Sequence, residues 1–293
     1  MTRAAFQTLL PVRDYDLAAT LACGQAFRWR ARTGAWEGIV GRRWVRLHQT
    51  RAGVEVEVAE AVAEWSWLSE YLQSDLNLDS VLQTFPEDDA MRASVAACRG
   101  LRLLKQDPWE CLASFILSST KQIVQIQQII TLLCERYGEP VAAPADADIT
   151  RAFPSAERIA ATSEAELRAC KMGFRAPYLL KAARRISEGE LHLESLRHRS
   201  VKEARAALVS LPGVGDKIAN CVLLFAYGFQ QAFPVDVWVM KALRQLYFPK
   251  RRPSPQRLLR FIATHFGPNA GYAQQYLFHY MRTKHGKPTD AQR

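Results

Sequence analysis

Short apolar runs broken by turn residues occupy the chain from about residue 15 to residue 60. Each run is rich in aromatic and β-branched residues, and hairpin signals such as Thr33-Gly34 and Gly41-Arg42 separate them. The runs cover residues 26–30, 36–40, 44–49 and 54–58. Their composition and spacing predict four strands of an antiparallel meander.

Helical periodicity replaces this pattern from about residue 60, where Trp65, Leu68 and Leu72 define one apolar face. Beyond Lys105 nearly the whole chain is predicted to be helical, and Asp107-Pro108 marks one helix start as an N-cap followed by proline. The predicted helices cover residues 65–72, 76–82, 123–137, 202–210, 216–229, 237–246 and 272–281. The Ala-, Asp- and Pro-rich stretch 140–154 is predicted to be a surface linker, and the tail after Arg282 to be disordered.

The order of these elements predicts an α+β fold. An N-terminal antiparallel β-sheet domain with helices would cover residues 1–105, and a mainly α-helical domain would cover residues 106–293. The length of 293 residues and a hydrophobic content of 48% suit folded domains with real cores. Thirty-nine Lys and Arg against twenty-nine Asp and Glu give a net charge of +10, which favours a polyanionic partner. A solvated basic surface is the alternative.

The cysteines are scattered, without a C-x-x-C pair or a Cys/His cluster. This pattern predicts neither a zinc site nor a disulfide framework, and it fits a reducing compartment. The six are Cys23, Cys98, Cys111, Cys134, Cys170 and Cys221. Residues 1–11 are neither long nor apolar enough for a signal peptide, and no stretch approaches a membrane span. We therefore expect an intracellular protein without a cofactor or a membrane partner.

A glycine-rich hairpin, Leu211-Pro-Gly-Val-Gly-Asp-Lys217, separates two predicted helices. Gly213 and Gly215 permit a positive φ and let backbone N–H groups approach a phosphate without obstruction by a Cβ atom. The helix that follows directs its positive dipole end toward the same place. A generic turn between two core helices, or a DNA-binding module without activity, would show the same glycines.

Lys217 and Asp236 add candidate chemistry to this hairpin. Lys217 lies at the start of the second helix, and Asp236 follows nineteen residues later in Phe233-Pro-Val-Asp-Val237. A lysine amine can attack the C1′ atom of a sugar and form a Schiff base, although most helix lysines simply face solvent. Asp236 precedes a predicted amphipathic helix and can serve as its N-cap. This combination favours an enzyme over a purely structural hairpin.

The hairpin with its Lys and Asp resembles the helix-hairpin-helix DNA glycosylases that carry both residues as catalytic groups. Four further segments, in order between about residues 17 and 281, resemble the 8-oxoguanine DNA glycosylases. They are Gly24-Gln-Ala-Phe-Arg-Trp29, Leu103-Leu-Lys-Gln-Asp-Pro-Trp-Glu-Cys111, Met172-Gly-Phe-Arg-Ala176 and Gly267-Pro-Asn-Ala-Gly-Tyr-Ala-Gln274. The resemblance implies an N-terminal antiparallel sheet domain followed by two helical subdomains that flank the hairpin.

The resemblance also implies roles for individual residues. Lys217 would attack C1′ of the damaged nucleotide, expel the base and cleave the strand by β-elimination, while Asp236 would stabilise the developing positive charge. The flipped base would be read by the carbonyl of Gly24, the amide of Gln274 and the ring of Phe278. Further base contacts are implied for Cys221, Phe225 and Pro234. From the residues alone, Cys221 could equally be a small buried hydrophobe and Phe278 a core aromatic.

DNA contacts are implied at the hairpin and on two loops. Gly213, Val214 and Gly215 would grip the backbone, Phe174 would wedge into the duplex, and Arg175 would reach the opposite base. A Phe174 folded back into the core is the alternative. A structural cation at the carbonyls of Val209, Leu211 and Val214 is a further possibility, whereas no metal is implied for the chemistry.

Three positions depart from the pattern of the eukaryotic members. Thr120 stands where they carry an Asn that fills the vacated base stack, Gln125 where an Arg reads the estranged cytosine, and Trp238 where a His contacts a phosphate. Because Thr and Gln make shorter or fewer contacts, we expect weaker discrimination of the opposite base. The expected partner is double-stranded DNA containing 8-oxoguanine, bound by a monomer. A monofunctional alkylpurine glycosylase and a non-enzymatic DNA-binding protein are the alternatives.

Overall fold

The computed structural model describes residues 5–119, 121–250 and 252–285. Its N-terminal part is a five-stranded antiparallel sheet with the order β1-β5-β4-β3-β2. A short helix, α1 (Leu17–Ala22), lies between the first two strands. The strands are β1 (Ala5–Pro11), β2 (Arg30–Arg32), β3 (Ala35–Val40), β4 (Arg43–Gln49) and β5 (Gly53–Val62).

Three of the four predicted strands are confirmed, in β3, β4 and β5. The prediction of a strand over residues 26–30 is wrong for residues 26–29, which form an irregular segment before β2 begins at Arg30. Phe27 packs in the helical core and Trp29 in the sheet core, so neighbouring apolar side chains serve two different cores. The sequence pattern also missed β1, which pairs with β5 at the edge of the sheet, and α1.

Helices make up most of the remainder, as predicted, and the α+β class is confirmed. They are α2 (Ser66–Leu72), α3 (Leu78–Leu82), α4 (Asp89–Cys98), α5 (Pro108–Leu117), α6 (Ile123–Tyr137), α7 (Ala156–Ala160), α8 (Glu164–Leu167), α9 (Ala176–Ser187), α10 (Val201–Val209), α11 (Asp216–Phe225), α12 (Val237–Ala242), α13 (Pro255–His265) and α14 (Ala270–His285). Shorter 3₁₀ or π turns cover Gly173–Arg175, Leu193–His198 and Leu243–Tyr247, and Arg168–Met172 is a kinked turn in which Lys171 has φ +62°. Within the described ranges, no helix is long and apolar enough to cross a membrane.

Helix ends follow the local signals at α5 and α6 but differ from the prediction at α11, α12 and α14. Helix α12 ends at Ala242 rather than at residue 246, because residues 243–247 form a π turn. Asp107 caps α5 with Pro108 in its first turn, and α6 has the predicted bounds. Helix α11 ends at Phe225 rather than at residue 229, since the chain turns at Gly228 with φ +72°. Helix α14 continues to His285, so residues 283–285 are not the start of a disordered tail; residues 286–293 lie outside the described part.

One buried side chain joins two of the segments on which the resemblance rests. The amide of Gln25 donates to the carbonyls of Thr20 and Arg102, both at 2.8 Å, and its oxygen accepts from the Leu104 N–H at 2.9 Å. The side chain of Gln106 donates in return to the Gln25 carbonyl at 2.7 Å. Because every polar atom of this buried amide is engaged, the loop around Gly24 is fixed against residues 101–106.

Candidate active site

The amine of Lys217 contacts a hydroxyl group rather than open solvent. It is the second residue of α11, whose N-cap is Gly215 of the hairpin. Its Nζ lies 3.3 Å from the Oγ of Ser118, just beyond the C-terminus of α5, and 5.5 Å from the ring centroid of Phe115. Ser118 Oγ itself donates to the Phe115 carbonyl at 2.7 Å. The hydroxyl therefore turns its lone pairs toward the amine.

Asp236 is held by the helix that follows it, as its predicted N-cap role requires. Its Oδ1 accepts a hydrogen bond from the Val239 N–H at 2.8 Å. Burial raises the pKa of Asp236 above its ordinary value, while the Val239 N–H and the positive charge of Lys217 act in the opposite direction. The carboxylate is thus partly desolvated, fixed in position and within electrostatic range of the lysine.

Cys221 lies one turn after Lys217 on α11 and completes this group. Burial raises the pKa of its thiol to about 12, with Lys217 lowering it and Asp236 raising it. The thiol is therefore neutral at physiological pH and presents a small, polarisable surface beside the lysine and the carboxylate. Pro234, two residues before Asp236, is buried as well.

Phe225 belongs to an aromatic stack that connects the two halves of the site. Its ring stacks on Phe115 with centroids 5.6 Å apart, and Phe115 meets Phe27 edge-on at 5.6 Å. Lys217 lies over the same Phe115 ring, and Phe27 is three residues from Gly24. The nucleophile candidate and the Gly24 loop are therefore joined by direct side-chain packing.

Helix α14 carries the other predicted base-reading residues, Gln274 and Phe278. Gln274 is 3% exposed, and within the described ranges its Oε1 has no hydrogen-bond partner. Phe278 is half-buried, with the guanidinium of Arg282 6.0 Å from its ring centroid. Because an unpaired buried amide oxygen costs about 1–3 kcal/mol, the Gln274 side chain suits a donor supplied by a ligand.

Gly24 lies beside these residues in a conformation that requires glycine. Its φ is +82°, and a Cβ atom there would stand 2.8 Å from the Cδ1 of Ile123 and 3.6 Å from the Nη1 of Arg282. The same guanidinium lies over the Phe278 ring, so Gly24 and Phe278 are both neighbours of Arg282. The structure thus connects the loop of the predicted reading carbonyl to the predicted stacking ring through one side chain.

The fold requires glycine at only one of the two hairpin positions. Gly213 has φ +79°, and a Cβ atom there would lie 2.6 Å from the Cγ of Tyr178. A Cβ on Gly215, by contrast, would meet no described atom within 4 Å. Val214 is buried between them, and its N–H donates to the Leu211 carbonyl at 3.1 Å. One of the three carbonyls considered for a cation, that of Leu211, is therefore already a hydrogen-bond acceptor within the hairpin.

Phe174 and Arg175 lie differently, although they are adjacent. Phe174 is 53% exposed and meets Tyr178 edge-on at 6.5 Å, so it is not folded into the core. The guanidinium of Arg175 lies 4.2 Å below the Phe174 ring and is buried, donating to the carbonyls of Met172 and Ser119. The loop thus exposes the apolar ring of Phe174 above the buried guanidinium of Arg175, which points inward although it was predicted to reach the opposite base.

The three positions that depart from the eukaryotic pattern are only partly described. Thr120 lies outside the described residues. Gln125 is exposed in the first turn of α6, where its Oε1 accepts from the N–H of Gln122 at 3.1 Å. Trp238 is half-buried in α12, with the Nζ of Lys241 5.5 Å from its ring centroid.

Comparison with known proteins decides the family. The protein-family model described as "8-oxoguanine DNA glycosylase, N-terminal domain" matches residues 8–112. A second family model, "HhH-GPD superfamily base excision DNA repair protein", matches residues 113–267. The chain belongs to the 8-oxoguanine DNA glycosylases of the HhH-GPD superfamily.

Named relatives and solved structures agree with this assignment. A probable N-glycosylase/DNA lyase of Methanothermobacter thermautotrophicus is 30% identical, covering 93% of this chain and 95% of the relative. The N-glycosylase/DNA lyase OGG1 of Arabidopsis thaliana is 31% identical over 93% of this chain and 79% of the relative. The Clostridium acetobutylicum 8-oxoguanine glycosylase/lyase, in complex with DNA containing cytosine opposite 8-oxoG, superimposes with a TM-score of 0.86 and 30% identity, covering 97% and 98% of the two chains.

Ser118 is one of the residues of this glycosylase site that reasoning from the sequence missed. Its only signal was its place at the start of Ser118-Ser-Thr-Lys121, a polar run that ends the otherwise apolar α5. Nothing in that run indicates that the lysine ninety-nine positions later would meet it. Gln275 and Arg282 on α14, which contact the loop before Gly24, were missed for the same reason.

Proposed function

We propose that this protein is a bifunctional DNA glycosylase that flips 8-oxoguanine out of duplex DNA, excises it and cleaves the strand at the resulting abasic site. The observation that carries the proposal is the group formed by Lys217, Asp236 and Cys221 directly behind a glycine hairpin. It supplies an amine in the first turn of α11, a neutral thiol one turn later, and a fixed carboxylate at the N-cap of α12.

In the proposed chemistry, Asp236 acts first as an electrostatic group. Breaking the bond between C1′ and the base develops positive charge on the sugar, which the carboxylate stabilises. Lys217 forms a bond from Nζ to C1′ as the base departs with the bonding electrons. Asp236 is also suited to accept the proton that the attacking amine must lose, since burial raises its pKa and makes it a stronger base.

Strand cleavage follows from the same covalent bond. Opening of the sugar ring converts the amine adduct into a Schiff base between Nζ and C1′. Loss of a proton from C2′ then expels the 3′ phosphate by β-elimination, which breaks the strand. Ser118 lies at Nζ and keeps the amine on the side of the cleft where this sequence of steps takes place.

In the proposed base pocket, Gly24 and Gln274 read edges while Phe278 and Cys221 cover the two faces. The Gly24 carbonyl accepts from the N7–H that 8-oxoguanine has and guanine lacks, and Gln274 bonds the Watson–Crick edge. Phe225 and Pro234 close the pocket. One such hydrogen bond contributes ~1 kcal/mol, or up to ~3 kcal/mol where the wrong base leaves a buried group unpaired.

The proposed DNA interface extends on both sides of this pocket. Backbone N–H groups of Gly213 and Gly215, with the N-terminus of α11, bind a phosphate, whereas the N–H of Val214 is used within the hairpin. Trp238 lies along the same DNA strand. Phe174 wedges into the duplex, a role that suits its exposure. A contact between Arg175 and the opposite base would require its guanidinium to leave two carbonyl acceptors. Thr120 stands where the eukaryotic members carry the Asn that fills the vacated stack, and its shorter side chain would make fewer contacts there. We expect a monomer acting on DNA inside the cell, without a cofactor.

Borohydride trapping on a duplex with one 8-oxoguanine tests the proposal. We expect a covalent adduct that disappears in Lys217→Gln and persists in Lys202→Gln, which changes an exposed lysine on α10. Release of the base without an adduct would favour a monofunctional glycosylase. Binding without release or adduct would favour a DNA-binding protein without activity, and an adduct in Lys217→Gln would reject the assigned nucleophile.

A further inference from the structure

Two side chains of α14 hold the backbone that leads into Gly24. The Nη2 of Arg282 donates to the carbonyl of Ala22 at 2.9 Å, and the Nε2 of Gln275 donates to the carbonyl of Cys23 at 3.3 Å. Both peptides directly before Gly24 are therefore tied to one helix. The two donors lie two turns apart on α14, so they hold the loop at two points along the helix axis.

The peptide after Gly24 is held from the opposite side. The Gln25 carbonyl accepts from the Nε2 of Gln106 at 2.7 Å. In contrast, no described residue donates a hydrogen bond to the carbonyl of Gly24 itself. The loop thus fixes three neighbouring carbonyls by internal donors and leaves the Gly24 oxygen for another partner.

The guanidinium of Arg282 is largely buried, and one of its nitrogen atoms is unpaired in the described part of the chain, which costs free energy of folding. Its Nη1 is buried without a hydrogen-bond partner within the described ranges, and burial lowers its pKa from the ordinary value. A guanidinium withdrawn from water in this way is destabilising unless its contacts compensate. Its identified contacts are the Ala22 carbonyl and the face of Phe278, so what it holds is the Gly24 loop and the stacking ring.

We propose that Gln275 and Arg282 are positioning residues for lesion recognition, which hold the peptides before Gly24 so that its carbonyl faces the N7 edge of the flipped base. This inference rests on the proposed function, because it assigns the means by which that function distinguishes 8-oxoguanine from guanine. The carbonyl accepts from the N7–H of the lesion and repels the lone pair at N7 of guanine. How well the Gly24 carbonyl distinguishes the two bases depends on the direction in which its oxygen points.

Helix α14 then serves both sides of the pocket. Gln274 and Phe278 read and stack the base directly, while Gln275 and Arg282 set the carbonyl opposite them. Since all four belong to one helix, the reading amide of Gln274 and the two donors that hold the Gly24 loop keep fixed positions relative to one another. Loosening the loop should therefore affect recognition of the base much more than the chemistry at the sugar.

Arg282→Met tests this inference, because it keeps the long apolar stem and removes the donors. Lys284→Met on the same helix is the matched control, since it removes an exposed positive charge whose nearest hydrogen-bond partner is Tyr280. Excision of 8-oxoguanine is measured under single-turnover conditions, beside strand cleavage at a preformed abasic site, which needs Lys217 and Asp236 but no base. In the Lys217→Gln background, affinities for duplexes with 8-oxoguanine and with guanine give the discrimination.

We expect Arg282→Met, and to a smaller extent Gln275→Met, to lower excision roughly tenfold or more with abasic-site cleavage within about twofold of wild type. The affinity ratio between the two duplexes should fall toward one, and Arg282→Lys should restore part of it. Equal loss of excision and abasic cleavage, or an unchanged affinity ratio, would overturn the positioning role. A wild-type protein that cleaves abasic sites but leaves 8-oxoguanine in place would overturn the proposed function instead.

Discussion

The Nζ of Lys217 lies 3.3 Å from the Oγ of Ser118, and this hydroxyl donates its own hydrogen to the Phe115 carbonyl. The contact joins the first turn of α11 to the end of α5, so the amine is held by a group from another part of the chain. A hydroxyl that already donates can only accept from the lysine, so one N–H of the amine is directed at Ser118 and the lone pair of the deprotonated amine points elsewhere.

Ser118→Ala should therefore slow base excision without unfolding the protein. Loss of one neutral acceptor at the amine corresponds to about 1 kcal/mol, or roughly a fivefold lower rate. Single-turnover excision across a range of pH measures it, with Ser118→Thr as the control that keeps the hydroxyl. An excision rate in Ser118→Ala equal to wild type at every pH would show that the contact has no part in the reaction.

Asp236→Asn should separate activity from stability. Asn is as good an N-cap as Asp, so α12 stays capped, but the carboxylate that stabilises the sugar cation is gone. We expect excision to fall a hundredfold or more, in line with the loss of a general base or an electrostatic group. Wild-type activity should also decline on the acid side at a higher pH than an ordinary aspartate would give.

The stability of Asp236→Asn follows from the same raised pKa. The folded state binds a proton at Asp236 more tightly than the unfolded state does, so the ionised carboxylate destabilises the fold at neutral pH. The variant should melt at a higher temperature than wild type at pH 7. This advantage should shrink as the pH falls through the raised folded pKa toward ~4, the unfolded value, where both forms are neutral. A lower melting temperature at pH 7 would contradict it.

The two hairpin glycines should respond differently to alanine. Gly213→Ala meets both the positive φ and the ring of Tyr178, so we expect a loss of at least ~1–2 kcal/mol in the free energy of unfolding. Gly215→Ala meets no described atom, but it replaces the N-cap of α11 with a residue that caps less well, so we expect a smaller loss of ~0.5–1 kcal/mol. Its methyl group, however, would stand where the phosphate approaches.

Denaturant unfolding and DNA affinity at two salt concentrations distinguish the two effects. Gly215→Ala should bind duplex DNA more weakly although it loses less stability than Gly213→Ala. Unchanged DNA affinity in Gly215→Ala would remove the hairpin from the proposed phosphate site. Unchanged stability in Gly213→Ala would show that the Tyr178 ring moves aside and that the backbone there tolerates a Cβ atom.

Gln125 should give weak discrimination of the base opposite the lesion. Its amide carries fewer donors than an arginine fork, and its oxygen already accepts from Gln122. We expect excision rates opposite C, A, G and T to differ less than in members that carry Arg at this position. Gln125→Arg should increase the preference for cytosine, measured on four otherwise identical duplexes. A strong cytosine preference in wild type would contradict the prediction.

Local sequence signals correctly predicted the helices whose ends are determined by residues within one turn of them. The cap at Asp107 and the bounds of α6 were predicted correctly because a capping residue, a proline and a following glycine act over one turn. Residues 26–29 were predicted wrongly because their apolar side chains divide between two cores. The edge strand β1 was missed because its hydrogen bonds come from β5, more than forty residues later.

The sequence by itself determined the candidate chemistry: a glycine hairpin with Lys217 and Cys221 on one helix face, and Asp236 at the next helix start. Helix periodicity and capping act over a few residues, so these relations follow from spacing alone. Only the tertiary structure decided which groups meet across the fold. Ser118 reaches Lys217 over 99 positions, and Arg282 reaches Ala22 over 260. Such contacts depend on how the helices pack, and no local pattern in the chain records them.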